Sequence, residues 1–325
     1  MRTLMQYRHI GGPNGLRVSS LCLGTMSFGT RVSEKECFAV LDRFHEAGGN
    51  FIDTANTYAF WADGATGAES EIVIGKWLQE RGVRDEIVLA TKVGALPEPS
   101  GAPWPEAAEG LSAEVIARQV ERSLTHLQTD WIDIYYAHIE DRATPAQETM
   151  AAFGGLVAQG KIRQFGCSNY AAWRIEEAQN AAAQQGMPGF TAVQQRYTYL
   201  QPKPGADFGV NPHASEEMLD YLRNRPELTL LAYTPQLSGA YTDPHKEIPE
   251  QYRHEGSTAR LAALAEVAED LGVTKNQVVL SWLAGAEPSV LPIIGASTVA
   301  QLEESLGAVD LELGADARAR LDRAA

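Results

Sequence analysis

The sequence predicts an α/β protein built as a closed (β/α)8 barrel, and two observations favour this fold class. Eight short apolar or β-branched runs alternate along the chain with longer segments of helical periodicity. Continuous apolar runs are typical of strands buried on both faces, and parallel neighbours need helical crossovers between them. The predicted strands are 18–26, 50–55, 87–93, 131–139, 164–169, 190–197, 228–235 and 290–295.

An open doubly wound sheet is the alternative arrangement of the same elements. That architecture commonly holds a dinucleotide at a GxGxxG turn after its first strand. Here the first predicted strand runs into LGTMSFGT, and no GxGxxG follows it. We therefore expect the closed form, a TIM barrel, as a single domain over residues 1–325.

The ends of the predicted elements carry recognisable turn and capping signals. Residues 6–18 predict an N-terminal β-hairpin that caps the lower mouth of the barrel, with Asn14-Gly15 expected to supply the positive φ angles of its turn. Helix starts are predicted at Ser33 with Glu36, at Thr144 before Pro145, at Asn211 before Pro212, and at Thr298 with Gln301.

Composition limits the function classes. The net charge of −15 disfavours nucleic acid as a partner. Cys22, Cys37 and Cys167 show no CxxC spacing, which argues against a disulfide framework and a cysteine metal site. No run reaches the about 18 apolar residues that a membrane span requires, and no signal-peptide stretch is present. We expect a cytoplasmic protein with no metal.

Four polar residues fall at the carboxyl ends of successive predicted strands, where barrel active sites lie: Asp53, Tyr58, Lys92 and His138. Each alone also fits a surface charge or a core histidine. Two opposite charges near one barrel mouth are costly to bury unless paired, so Asp53 and Lys92 are expected to form an ion pair. The Lys92 ammonium is expected to lower the pKa of Tyr58 and make it a general acid.

These residues lie in segments that closely resemble the signatures of the aldo-keto reductases: DTANTY, TKVG, IDIYYAH and GCSN. The resemblance runs from about residue 6 to the end, and 69–78, 160–170 and 292–304 reinforce it. It implies that Tyr58 donates a proton, that Lys92 and Asp53 tune it, and that His138 orients a carbonyl. The GAST pattern is similar to the potassium-channel β-subunit branch and its bacterial relatives.

The resemblance also implies NADP(H), favoured over NAD(H), lying extended across the barrel mouth. Many members carry Lys or Arg for the 2′-phosphate, whereas this chain has Gly295, Ser297 and Gln301 there; hydroxyls, amides and a helix N-terminus are expected to replace them. Ser168 and Asn169 would grip the carboxamide. The matching cofactor positions are Gly24, Thr25, Met26, Asp53, Ser168, Asn169, Gln194, Tyr233, Thr234, Pro235, Gln236, Leu237, Gly239, Ile294, Gly295, Ser297, Thr298, Gln301, Glu304 and Ser305.

The acceptor is expected to be a small carbonyl compound. Phe60 and Trp61 directly follow Tyr58 and suit a flat aromatic carbonyl or a keto-sugar, with Met26 and His138 completing the substrate set. Specificity is expected to depend on loops 59–67, 94–110, 198–212 and 240–256.

Two other functions remain open on the sequence. A Schiff-base aldolase would use Lys92 as its nucleophile. A redox-sensing or partner-binding module would hold NADPH without turning over a substrate. A homo-oligomer is also left open.

Overall fold

The computed structural model describes residues 5–324, and its eight parallel strands close into a barrel in the order β10-β3-β4-β5-β6-β7-β8-β9. The predicted fold class is therefore confirmed. A separate two-stranded sheet lies before the barrel. The strands are β1 Tyr7–Ile10, β2 Leu16–Ser19, β3 Cys22–Gly24, β4 Phe51–Asp53, β5 Val88–Val93, β6 Ile132–Ala137, β7 Ile162–Ser168, β8 Ala192–Arg196, β9 Thr229–Tyr233 and β10 Val290–Gly295.

Helices connect the strands and surround the barrel. None of those within residues 5–324 is long and apolar enough to cross a bilayer. The helices are α1 Glu34–Glu46, α2 Glu69–Arg81, α3 Ala113–Leu127, α4 Ala146–Ala158, α5 Ala172–Gln184, α6 Glu216–Arg223, α7 Glu255–Leu271, α8 Lys275–Ala284, α9 Val299–Leu306 and α10 Ala315–Arg323.

The N-terminal hairpin is present and closes the lower end of the barrel. β1 pairs antiparallel with β2, and Ile10 and Val18 pack with interior barrel residues that include Phe51. The predicted turn chemistry is wrong, because the positive φ angles fall at Gly11 (84°) and Gly12 (85°) and not at the Asn14-Gly15 pair. Gly15 is needed for close approach instead, since a Cβ there would lie 1.8 Å from the Ile10 carbonyl oxygen.

The first predicted strand, 18–26, is divided between two sheets. Residues up to Ser19 belong to the hairpin, and the barrel strand begins only at Cys22. Ser20 lies between them and donates its backbone N–H to the Gln6 carbonyl at 2.8 Å. This bond closes the hairpin and leaves a short β3, whose end at Gly24 still faces the barrel mouth.

The helix starts agree with the prediction only in part. Ser33 and Glu36 form the predicted capping box of α1. The Thr144 cap is wrong, because its hydroxyl donates to Asp141 at 2.6 Å and Pro145 is the N-cap of α4. The start at Asn211 is also wrong: its carbonyl accepts from Arg196, and α6 begins after an N-cap at Ser215.

Candidate active site

The carboxyl ends of the eight strands surround the barrel mouth, and the predicted site residues fall into two groups around it. The predicted catalytic residues follow three adjacent strands: Asp53 and Tyr58 come from β4, Lys92 from β5, and His138 from the end of β6. The other predicted cofactor residues lie at or after the remaining five strands, which run contiguously from β7 through β8, β9 and β10 to β3. The two predicted sets therefore occupy neighbouring arcs of one mouth.

Lys92, Asp53 and Tyr58 form one hydrogen-bonded cluster. Lys92 Nζ donates to Asp53 Oδ2 at 2.6 Å, to the Thr54 carbonyl at 2.7 Å and to Tyr58 Oη at 2.6 Å, which engages all three ammonium hydrogens. Asp53 also accepts from Tyr58 Oη at 2.9 Å and from Gln194 Nε2 at 2.8 Å. Both charged side chains are buried, at 0% and 1% exposure. The expected ion pair is present.

The pKa of Tyr58 is shifted in the direction opposite to the expectation. Burial raises the pKa of its hydroxyl well above the ordinary value, and the Asp53 carboxylate raises it further. Asp53 lies nearly as close to the hydroxyl as Lys92 does, so desolvation and the negative charge together outweigh the ammonium. Tyr58 consequently keeps its proton through neutral pH.

His138 lies beside Tyr58 with a free polar atom. The two rings are edge to face, with centroids 6.0 Å apart and planes at 73°. Burial lowers the pKa of His138 well below its ordinary value, and the charge of Lys92 lowers it further, so the imidazole is neutral at pH 7. Its Nδ1 is buried and has no partner among residues 5–324. A neutral imidazole carries one N–H, which can donate to an oxygen placed between the two rings.

Backbone strain is concentrated at the mouth. Six non-glycine residues in the described chain have positive φ, and one of them, Gln128, is a helix C-cap. Such angles are uncommon outside glycine, and strained backbone tends to cluster at functional sites. The other five all follow barrel strands: Ala59 (57°), Asn169 (63°), Thr234 (55°), Leu237 (47°) and Ser238 (56°).

The ends of β7, β8 and β9 offer groups complementary to a carboxamide. Asn169 is held in place, because its Nδ2 donates to Ser168 Oγ at 3.0 Å and its Oδ1 accepts from Tyr233 Oη at 2.7 Å. Ser168 keeps its own hydrogen available to donate. Gln194 bonds Asp53 through Nε2 and keeps Oε1 available to accept. One donor and one acceptor at adjacent strand ends match the nicotinamide amide group, so these residues fit the cofactor.

The loop after β9 is tied to helix α9. Gln236 Nε2 donates to Ser305 Oγ at 3.3 Å. The predicted capping box at Thr298 is only half formed: Thr298 Oγ1 accepts from the Gln301 N–H at 3.3 Å, but Gln301 Oε1 accepts from the Ser297 N–H at 2.8 Å. The other first-turn amides of α9 remain available to an anion at the positive end of the helix.

The side chains of three predicted cofactor residues are engaged with other parts of the protein. Thr25 is buried, and its hydroxyl bonds the Asp53 carbonyl at 2.9 Å and Ser70 Oγ at 2.8 Å. It therefore supports the end of β4. Leu237 is buried, and Glu304 accepts from Asn276 Nδ2 at 3.2 Å. Met26, by contrast, is 50% exposed at the end of β3.

Two side chains that the sequence reasoning did not select lie against the predicted residues. Lys246 Nζ donates to the Ser238 carbonyl at 2.6 Å and lies 3.2 Å from where a Cβ on Gly239 would be. Trp104, from the loop after β5, contacts Phe60 with ring centroids 6.2 Å apart. Both lie in loops that the sequence marks for specificity, 94–110 and 240–256, but no local pattern singles out either side chain.

Within residues 5–324, no three His, Cys, Asp or Glu side chains converge into a group that could hold a metal ion. The cluster instead resembles a proton donor held between an acid and a base.

The family model described as the aldo/keto reductase family matches residues 20–325. An uncharacterised oxidoreductase of Bacillus subtilis is 36% identical over 315 residues, covering 95% of this chain and 92% of the relative. A norsolorinic acid reductase of Emericella nidulans is 36% identical over 328 residues, covering 96% and 79%. An aryl-alcohol dehydrogenase [NADP(+)] of Phanerodontia chrysosporium is 29% identical over 339 residues, covering 95% and 83%. The chain belongs to the aldo/keto reductase family, whose members are oxidoreductases that reduce carbonyl compounds with a nicotinamide cofactor.

Proposed function

We propose that this enzyme reduces an aldehyde or ketone to an alcohol with NADPH, and that Tyr58 is the general acid. The observation that carries the proposal is the cluster in which one hydroxyl accepts from Lys92 and donates to Asp53 at the barrel mouth. Both bonds fix the position of the phenol oxygen. The neighbouring imidazole of His138 adds a second hydrogen-bond donor for the substrate's carbonyl oxygen.

The chain's residues account for the proton. A bound nicotinamide would supply a hydride to the carbonyl carbon, which would leave the carbonyl electron pair on oxygen. Tyr58 turns its O–H from Asp53 to that oxygen and protonates it. An alkoxide is a far stronger base than a phenolate, so the raised pKa of Tyr58 still permits this transfer. Lys92, at 2.6 Å, stabilises the phenolate until solvent returns the proton.

The preference for NADPH is supported by cationic and helical features at the cofactor arc. Lys246 brings a positive charge to the strained Ser238–Gly239 segment. The first turn of α9, which contains predicted cofactor residues, offers its N-terminal amides. One relative carries NADP(+) in its name. A cation and free amides are the groups that bind phosphate.

The environment of Lys92 disfavours the aldolase alternative. A Schiff base requires a free amine that a ketone can reach. Lys92 is fully buried and donates all three hydrogens to fixed oxygens. Burial lowers its pKa, but the Asp53 carboxylate opposes that shift.

A panel of aldehydes, ketones and keto-sugars, followed by loss of NADPH absorbance, tests the proposal. We expect turnover of at least one carbonyl, faster with NADPH than with NADH at equal concentration. Tight NADPH binding with no turnover across the panel would favour the redox-sensing alternative instead.

A further inference from the structure

Three aromatic side chains form a continuous cluster in the loops that carry the chain onward from Tyr58 and Lys92. Phe60 is central: its ring centroid lies 5.2 Å from that of Trp61, with planes at 80°, and 6.2 Å from that of Trp104, with planes at 51°. Steeply inclined rings leave faces uncovered. Trp61 is 55% exposed and Trp104 is 36% exposed. Aromatic surface is therefore open next to the end of β4.

The loop that carries Trp104 is anchored to both catalytic segments. Glu109 Oε1 accepts from Asn56 Nδ2 at 3.0 Å and from the Gly94 N–H at 2.9 Å. Asn56 lies two residues before Tyr58, and Gly94 two residues after Lys92. The loop is thus fixed relative to the catalytic cluster.

The indole of Trp104 is also fixed within its own loop. Its Nε1–H donates to the Ala95 carbonyl at 2.9 Å. This loop also lies close to the loop after β4, since a Cβ built on Gly67 of that loop would lie 3.1 Å from Leu96 Cδ1. A rigid indole with its only donor engaged can offer a ligand nothing but its apolar ring surface.

This surface chemistry distinguishes between the two acceptor classes that suit exposed aromatic rings. A sugar hydroxyl placed against Phe60 and Trp104 loses its bonds to water and finds no partner there. An aryl ring has no hydroxyl groups whose bonds to water would be lost, and it gains edge or face contacts with the two side chains. The balance favours aryl carbonyls over polyhydroxylated ones.

We propose that Trp104 completes the acceptor pocket and makes the enzyme selective for aryl carbonyl compounds. The inference rests on the proposed carbonyl reduction at Tyr58. Trp104 acts on the part of the substrate remote from the reacting carbon, so it contributes to substrate binding and not to the proton transfer.

The test compares 4-nitrobenzaldehyde with glyceraldehyde in the full-length enzyme. Trp104→Leu should lower kcat/KM for the aryl aldehyde by roughly 3- to 10-fold, mainly through KM, because an aromatic contact is lost. The value for glyceraldehyde should stay unchanged. Trp104→Phe should recover most of the loss, and the NADPH dissociation constant should be the same in all variants.

Trp173→Leu is the matched control. This indole is 57% exposed on α5, near Arg142 and Arg174, and lies outside the aromatic cluster. Its loss should change neither aldehyde. Phe60→Leu provides a second variant if Trp104→Leu does not fold.

Two results would overturn the inference while the proposed function stands. The first is an unchanged preference between the two aldehydes in Trp104→Leu. The second is an equal loss for both aldehydes, which would make Trp104 a loop-packing residue. A parent enzyme that reduces neither aldehyde, nor any other carbonyl of the panel, would instead refute the proposed function.

Discussion

Tyr58 is held between two groups of opposite charge, and this placement suits its proposed role, in which the phenol holds a proton before the reaction and releases it during the reaction. Asp53 and burial keep the hydroxyl protonated before reaction. In the proposed mechanism Lys92 becomes important once the proton has left, because the oxygen then carries a charge that an ammonium stabilises. Because the ammonium stabilises the deprotonated state, it opposes part of the increase in the pKa of Tyr58 that burial and Asp53 cause.

Replacing Lys92 tests this division of roles. Lys92→Met should lower kcat by roughly 10²-fold or more, since the phenolate loses its partner. It should also lower the free energy of unfolding by about 3–5 kcal/mol, because Asp53 becomes an unpaired buried charge. Adding Asp53→Asn should recover part of the stability, measured by chemical unfolding, and none of the kcat. Recovery of kcat in the double variant would show that the ammonium serves only to balance Asp53.

At the scale of the elements, the site depends on loops that leave the barrel strands at uncommon angles. Thr234, Leu237 and Ser238, in the segment that follows β9, all have positive φ. Bonds to neighbouring elements hold this segment, including Gln236 to Ser305 on α9. Lys246 also holds this segment, by donating a hydrogen bond to the Ser238 carbonyl.

Lys246 is exposed, so its contribution to phosphate binding should be moderate. Lys246→Gln should raise the NADPH dissociation constant by roughly 2- to 5-fold and should weaken its dependence on salt. Fluorescence titration measures both. Lys161→Gln is the control, because Lys161 pairs with Glu121 and precedes β7 at the opposite end of the barrel. Equal effects of the two substitutions would show that general charge, and not contact, is responsible.

For the whole molecule, the barrel could be predicted because buried parallel strands impose long-range regularity on the sequence. The four residues at the strand ends followed from that regularity. The details that failed depend on local competition. Thr144 bonds Asp141 in preference to capping α4. The pKa of Tyr58 depends on the distances to Asp53 and Lys92, which spacing along the chain does not fix.

The cluster around Trp104 shows a second limit. Its partners Phe60 and Trp61 lie more than forty residues away along the sequence. The parallel pairing of β4 with β5 brings the two loops together. Contacts between loops of adjacent strands become visible once the topology is known.

Stability should depend on pH through His213, which packs edge to face against Tyr197 and Tyr252. Burial lowers the pKa of His213 to about 4; the hydrogen bond with the Ala214 backbone opposes this shift, and the charge of Arg196 contributes to it. A depressed pKa contributes stability above the unfolded value near 6.5, and this stability is lost as pH falls toward about 4. His213→Gln should therefore flatten the decline of the unfolding free energy between about pH 6.5 and 4.5. Parallel declines in the two proteins would contradict the assignment.

The most direct test of the account is a single-turnover measurement on Tyr58→Phe with NADPH already bound. The account predicts an unchanged NADPH dissociation constant and a rate of NADPH oxidation by a good carbonyl substrate that falls roughly 10²–10⁴-fold, since the phenol protonates the oxygen in the transition state. A rate close to that of the parent enzyme, with the same carbonyl, would contradict the role of Tyr58 as the proton donor.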